Sequence, residues 1–183
     1  MLDPNARFLH GSTMSHVTRM TITGMLGLTF MFVVDLANLF WISRLGDERM
    51  VAALGFAWNV QFFSISVGIG LMIGATALVS KAIGQGRRED ARKFATGCML
   101  LGVCVQALVA ILIVIFRSKI VAFTGATGET ALLAERFLLI SVPTLPLMAI
   151  GMIGSAILRS EGDAYRAMFV TMSAGLVAVI ADP

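Results

Sequence analysis

The chain has 183 residues, of which 57% are hydrophobic and 14% charged, and its mean hydropathy is +0.87; a soluble domain carries roughly 25% charged residues. This composition excludes a water-facing exterior and predicts an all-α, polytopic transmembrane bundle. The formal charge of +3 does not imply a nucleic-acid partner, because the 14 Lys and Arg are confined to short segments between apolar runs, where they set topology.

Residues 1–19 have no apolar h-region or small-residue cleavage site, so they read as a tail and not as a removable signal. An apolar run long enough to cross a hydrocarbon core of about 30 Å needs about 20 residues. The first runs from Met20 to Ser43 and the second from Val51 to Val79, with "RLGDERM" between them. The third, Phe94 to Phe116, follows the strongly charged "KAIGQGRREDARK". The fourth, Ala131 to Leu158, contains Pro143 and Pro146, which remove backbone donors and predict a kink or break. The fifth begins at Arg166 and is still apolar near residue 183. It would rise roughly 24 Å from Met168 to that point, so the chain is expected to be a fragment or a truncated product whose last helix ends in lipid.

Alternate connections carry nine Lys and Arg on one side and five on the other, so the N-terminus is predicted to be cytoplasmic. The first and fifth runs then both point outward. Asp35 follows Arg19 by 16 positions, and Asp182 follows Arg166 by 16 positions, which places both carboxylates about 24 Å along their helices. An ionised carboxylate near the bilayer centre costs about 2.5 to 3.5 kcal/mol on insertion scales and commonly marks an ion path. Two acids at one depth point to a shared cavity. The alternative is structural: Asp35 would bond a neighbouring helix together with Asn38, and Asp182, before a proline, would mark a helix boundary.

Asn59, Gln61, Ser64 and Ser66 on the second run suit either a polar cavity or interhelical bonds. Gly68, Gly70 and Gly74 in "GIGLMIG" suit close helix approach, and they follow no strand, which excludes a phosphate loop. The 12 methionines suit a core as well as an adaptable binding surface. Cys98 and Cys104 lie six positions apart in one run, about 240° around a helix, and cannot pair with each other. His10 and His16 flank the first run. No nucleophile with a base and no cofactor motif is present, so the chain is not expected to be an enzyme.

Four segments, "VDLANLFWISRLGDERMVAALGFAWNVQFF", "GIGLMIGATALVSKAIGQGRREDARK", "AILRSEGDAYRAM" and "ADP", resemble in this order the N-terminal half of the MATE (multidrug and toxic compound extrusion) transporters. The G-Q-G-R loop and the L-R-x-x-G-D turn are the most specific parts. The resemblance implies a cation-coupled antiporter of the bacterial inner membrane, with small-molecule substrates and no cofactor beyond H⁺ or Na⁺. Residues 20–183 would be about five spans of a six-helix lobe, and the sixth helix and C-terminal lobe would be missing. It also implies ion coupling by Asp35 and Asp182, and Asn38, Asn59, Gln61, Ser64 and Phe137 are candidate cavity-lining residues beside them. The chain departs from the pattern at Ala178, where an asparagine is common, and at Phe137, where a tyrosine is common. The alternatives are a lipid-linked sugar flippase of the same superfamily and a non-transporting membrane fragment.

Overall fold

The computed structural model describes residues 12–44 and 48–181. Its helices are α1 (Thr13–Arg44), α2 (Glu48–Gly84), α3 (Arg88–Phe123), α4 (Gly128–Ser141), α5 (Leu145–Ser160) and α6 (Ala164–Ala181). No strand occurs among the described residues. The solvent explains this class, because hydrocarbon offers no partner to an unpaired backbone N–H or C=O and a helix satisfies them all internally. Among the described residues, four segments are long and apolar enough to cross a membrane: Thr13–Trp41, Arg49–Gly84, Arg88–Phe123 and Gly128–Ser160.

α2 has 37 residues and α3 has 36, each about 55 Å long and well beyond the hydrocarbon thickness. Their polar ends therefore stand in the headgroup region. Most of the charged "KAIGQGRREDARK" segment is helical, and only residues 85–87 lie between α2 and α3. The fourth run breaks at Pro143: the helix tightens into a 3-10 turn over Val142–Thr144 and resumes at Leu145. A proline has no N–H to give the preceding turn, and within the 3-10 turn Thr144 Oγ1 donates to the Ser141 carbonyl at 2.6 Å.

The core is built from small side chains. Ala57 and Ala134 are fully buried, and Ala53, Ala110 and Ala126 join them with Val60, Ile113, Leu138 and Val142 where α2, α3 and α4 meet. Hydrocarbon provides no hydrophobic drive between helices, so close backbone approach supplies the attraction. Gly102 shows how close the approach is: a Cβ there would run into the Ile153 side chain of α5. At one end of the bundle Arg49 pairs with Glu129, and Arg117 lies 3.8 Å from Glu135.

The α2–α3 and α5–α6 turns at the other end share one backbone design. Gly86 has φ 72° and Gly162 has φ 81°. The Gly86 N–H donates to the Ile83 carbonyl and the Arg87 N–H to the Ala82 carbonyl; the Gly162 N–H donates to Arg159 and the Asp163 N–H to Leu158. Both are Schellman motifs, whose left-handed residue favours glycine. The residue after each glycine forms an i,i+3 ion pair, but the signs are reversed: Arg87 with Asp90 and Asp163 with Arg166, each at 3.3 Å. Asp163 also caps α6, its Oδ1 accepting from the Arg166 N–H at 3.2 Å.

Candidate functional site

α1 is the most open helix of the bundle, packing chiefly on α6 and only slightly on α2. Its contacts fix both direction and register. The Arg19 guanidinium stacks over the Tyr165 ring at 4.4 Å, and a Cβ on Gly27 would meet Thr171 at 3.8 Å. The pairs 19 with 165 and 27 with 171 both advance along the sequence, so α1 and α6 run parallel. Their offset is 146 positions at the first pair and 144 at the second.

The far end of α1 carries Phe40 and Trp41, with ring centroids 6.0 Å apart, and Arg44 stacks over Phe40 at 5.1 Å. Aromatic rings with basic partners suit membrane–water interfaces. From Arg19 to Phe40 is 21 positions, about 32 Å of helix, which matches the hydrocarbon thickness. Asp35 lies between these anchors, and its side chain is exposed on the open side of α1. The α1–α6 offset sets it level with residues 179–181, the last described turn of α6. Asp182 lies outside the described residues.

Three residues separate the end of α1 from the start of α2. Asp35 stands nine positions before Arg44, and Asn59 stands ten positions after Arg49, so each is roughly 14 Å in from its helix end. Asn59 is exposed, its Nδ2 donating to the Gly55 carbonyl at 3.2 Å, and Ser66, also exposed, donates to Phe62 at 2.8 Å. Gly55, Gly70 and Gly74 lie on the same open side of α2, and a Cβ added at any of them would meet nothing within 4 Å. This face mixes small and polar residues with the exposed Phe62, Phe63 and Ile73, whereas on α3 Leu100, Leu101, Leu108, Ile111 and Ile115 face outward. Polar and charged groups on open faces of α1 and α2 can hold a cation or a polar substrate inside the membrane. Among the described residues no group of three His, Cys, Asp or Glu side chains is placed to hold a metal ion.

Other residues fall elsewhere. Ser64 is fully buried, its hydroxyl donates to the Val60 carbonyl at 3.2 Å, and its own carbonyl accepts from Gln106 Nε2 at 2.9 Å. Phe137 is half-buried against the α2–α3–α4 core, an apolar ring doing the packing of a core residue. Gln61 is half-buried on α2, and Asn38 lies on α1 one turn after Asp35. Gly70 and Gly74 make no close helix contact, whereas Gly68 does. Gln106 carries the main polar contact between α2 and α3 and escaped notice in the sequence; its signal was a lone amide within the apolar third run.

The MatE family profile matches residues 21–183. The chain is 27% identical over 164 residues to the FAD transporter of Shewanella oneidensis, covering 90% of this chain and 36% of that protein. It is 25% identical over 162 residues to the multidrug export protein MepA of Staphylococcus aureus, covering 87% and 35%. With the multidrug resistance protein MdtK of Yersinia enterocolitica it shares 30% identity over 124 residues, 68% of this chain and 27% of that one. The chain thus spans about a third of the length of these relatives. Among solved structures, it matches MATE in complex with MaD3S with a TM-score of 0.90 at 24% identity, all of this chain lying on 41% of that one. An outward-facing multidrug resistance MATE family transporter matches with a TM-score of 0.91 at 24% identity, over 40% of its length.

Proposed function

Since the chain belongs to the MatE family of membrane transporters, we propose that it forms one lobe of a cation-coupled antiporter that expels organic cationic or amphipathic compounds as H⁺ or Na⁺ enters. Two of its relatives are named for multidrug export and multidrug resistance. In this reading the N-terminus is cytoplasmic, on the side with nine of the 14 basic residues.

The observation that carries the reading is Asp35, an acid exposed on the open face of a membrane-crossing helix between two interfacial anchors. A carboxylate at such a depth is costly unless it faces a cavity or partner. As an anion Asp35 holds a cationic substrate; with a proton or Na⁺ bound it loses the charge that retains the substrate. Ion entry and substrate exit then exclude one another. Asp182 is assigned as the second acid of the pair, because it follows Arg166 by the same 16 positions that separate Asp35 from Arg19. Asn59 and Ser66, exposed on α2, are assigned as further polar contacts for substrate.

The test is efflux of an organic cation such as ethidium from cells expressing the protein, with ion flux followed in parallel. Asp35→Asn is expected to abolish both, and normal efflux with normal coupling would remove Asp35 from the mechanism. A second reading, export of an anionic flavin nucleotide, is favoured by the relative named for FAD, which matches 90% of this chain. Uptake of FAD but not ethidium by inverted vesicles would select it.

A further inference from the structure

The α2–α3 and α5–α6 turns enclose a cleft of about 530 Å³. Its rim holds three guanidinium groups, Arg88, Arg92 and Arg166, and three carboxylates, Glu89, Glu161 and Asp163. Arg88, Glu89 and Arg92 come from the first turns of α3, and Glu161 with the Asp163–Arg166 ion pair comes from the α5–α6 turn. The cleft therefore has both signs within reach and no net excess of either.

The floor is apolar, and Ala95 and Ile157 on it also line a second, open groove of about 450 Å³ between α3 and α5. That groove is bounded by Met99, Leu100, Val103 and Ile150. From Ala95 to Val103 it follows α3 for eight positions, about 12 Å. Leu100 and Ile150 at its edge are exposed, like the Leu and Ile side chains that continue along α3, so in a membrane the groove opens to hydrocarbon. A charged cleft at the headgroup level thus runs directly into an apolar channel at the acyl level.

We propose that this composite site binds a zwitterionic, amine-bearing phospholipid, with the headgroup in the cleft and one acyl chain in the α3–α5 groove. Arg88 and Arg92, one turn apart on α3, donate charge-assisted hydrogen bonds to the phosphate. Glu161, exposed in the opposite turn, accepts from the primary ammonium. A purely anionic headgroup would bring Glu161 no ammonium to accept from, and a quaternary ammonium would have no N–H for it. A free phosphate compound would leave the groove unused. The site ties the two equivalent turns through a lipid, and it stands on membrane location alone, independently of the transport reading.

The test is native mass spectrometry of the purified chain in detergent, titrated with phosphatidylethanolamine, phosphatidylcholine and phosphatidylglycerol of identical acyl chains, and with soluble glycerophosphoethanolamine. Phosphatidylethanolamine is expected to bind about tenfold more tightly than either other lipid, a difference in line with lost charge-assisted bonds. Arg92→Gln combined with Glu161→Gln should remove that preference, whereas Lys119→Gln at the other end of α3 should leave it intact. Val103→Trp, which fills the groove, should weaken all three lipids; if that variant misfolds, Leu100→Trp at the exposed edge serves instead. Equal binding of phosphatidylethanolamine and phosphatidylcholine would overturn the proposal. So would a preference for phosphatidylglycerol, or soluble headgroup binding as tightly as the lipid.

Discussion

Gly68 of α2 and Gln106 of α3 are fitted to each other: a Cβ at position 68 would stand 2.8 Å from Gln106 Nε2, which donates to the Ser64 carbonyl at 2.9 Å. Gly68→Ala forces that amide to move. The amide is the far end of a flexible side chain, so the cost is chiefly the interhelical bond, about 0.6 to 1.7 kcal/mol in a membrane. Alanine in place of glycine returns roughly 0.5 to 1 kcal/mol of helix preference. The net loss should be under about 1 kcal/mol, read as a small drop in the unfolding midpoint in detergent. In a Gln106→Ala background it should vanish or reverse, because nothing then obstructs the new methyl.

Gly102→Ala should be more damaging. The obstructing group is the Ile153 side chain, which is 1% exposed and β-branched, hence stiff at χ1. Overpacking a closed site of this kind costs about 1 to 3 kcal/mol. Ile153→Val should recover part of the loss. A thermal unfolding series in detergent ranks the variants, and a Gly102→Ala protein as stable as Gly68→Ala would contradict the tight α3–α5 contact.

The two Schellman turns predict a matched pair of substitutions. Gly86 and Gly162 both hold left-handed backbone, with φ of 72° and 81°. Alanine at either should cost about 1 kcal/mol, since an L side chain there crowds the following carbonyl. Asparagine tolerates that conformation, so Gly86→Asn should cost clearly less than Gly86→Ala. Equal costs for the two would mean that space, and not backbone angle, selects glycine at position 86.

Much of the bundle was legible because hydrocarbon enforces helix wherever a long apolar run occurs, and the break at Pro143 follows from its missing donor. The family was legible in "GQGRRED" and "LRSEGD", segments now seen to form the two turns. Their equivalence was hidden, since it resides in backbone angles and a reversed ion pair while the residues differ. Burial was hidden too. Ser64 and Ser66 are two positions apart in the sequence, yet the first is sealed against Gln106 and the second faces outward. Hydropathy gives polarity but not the direction in which a helix face turns. The glycines illustrate the same limit: Gly68 packs and Gly70 does not.

Asp35 opposes insertion of its own helix, and that opposition can be measured apart from transport. An acid at the centre of a membrane helix is disfavoured by about 2.5 to 3.5 kcal/mol, whereas leucine is favourable by a few tenths. Asp35 stands off-centre, nine positions from Arg44, so Asp35→Leu should improve apparent insertion of α1 by about 2 kcal/mol. A glycosylation-mapping assay on a reporter carrying residues 13–44 reads this directly. The same substitution in the whole chain should eliminate efflux while raising thermal stability. That combination distinguishes an acid retained for ion coupling from one retained to hold helices together, because a structural acid would lower stability when removed.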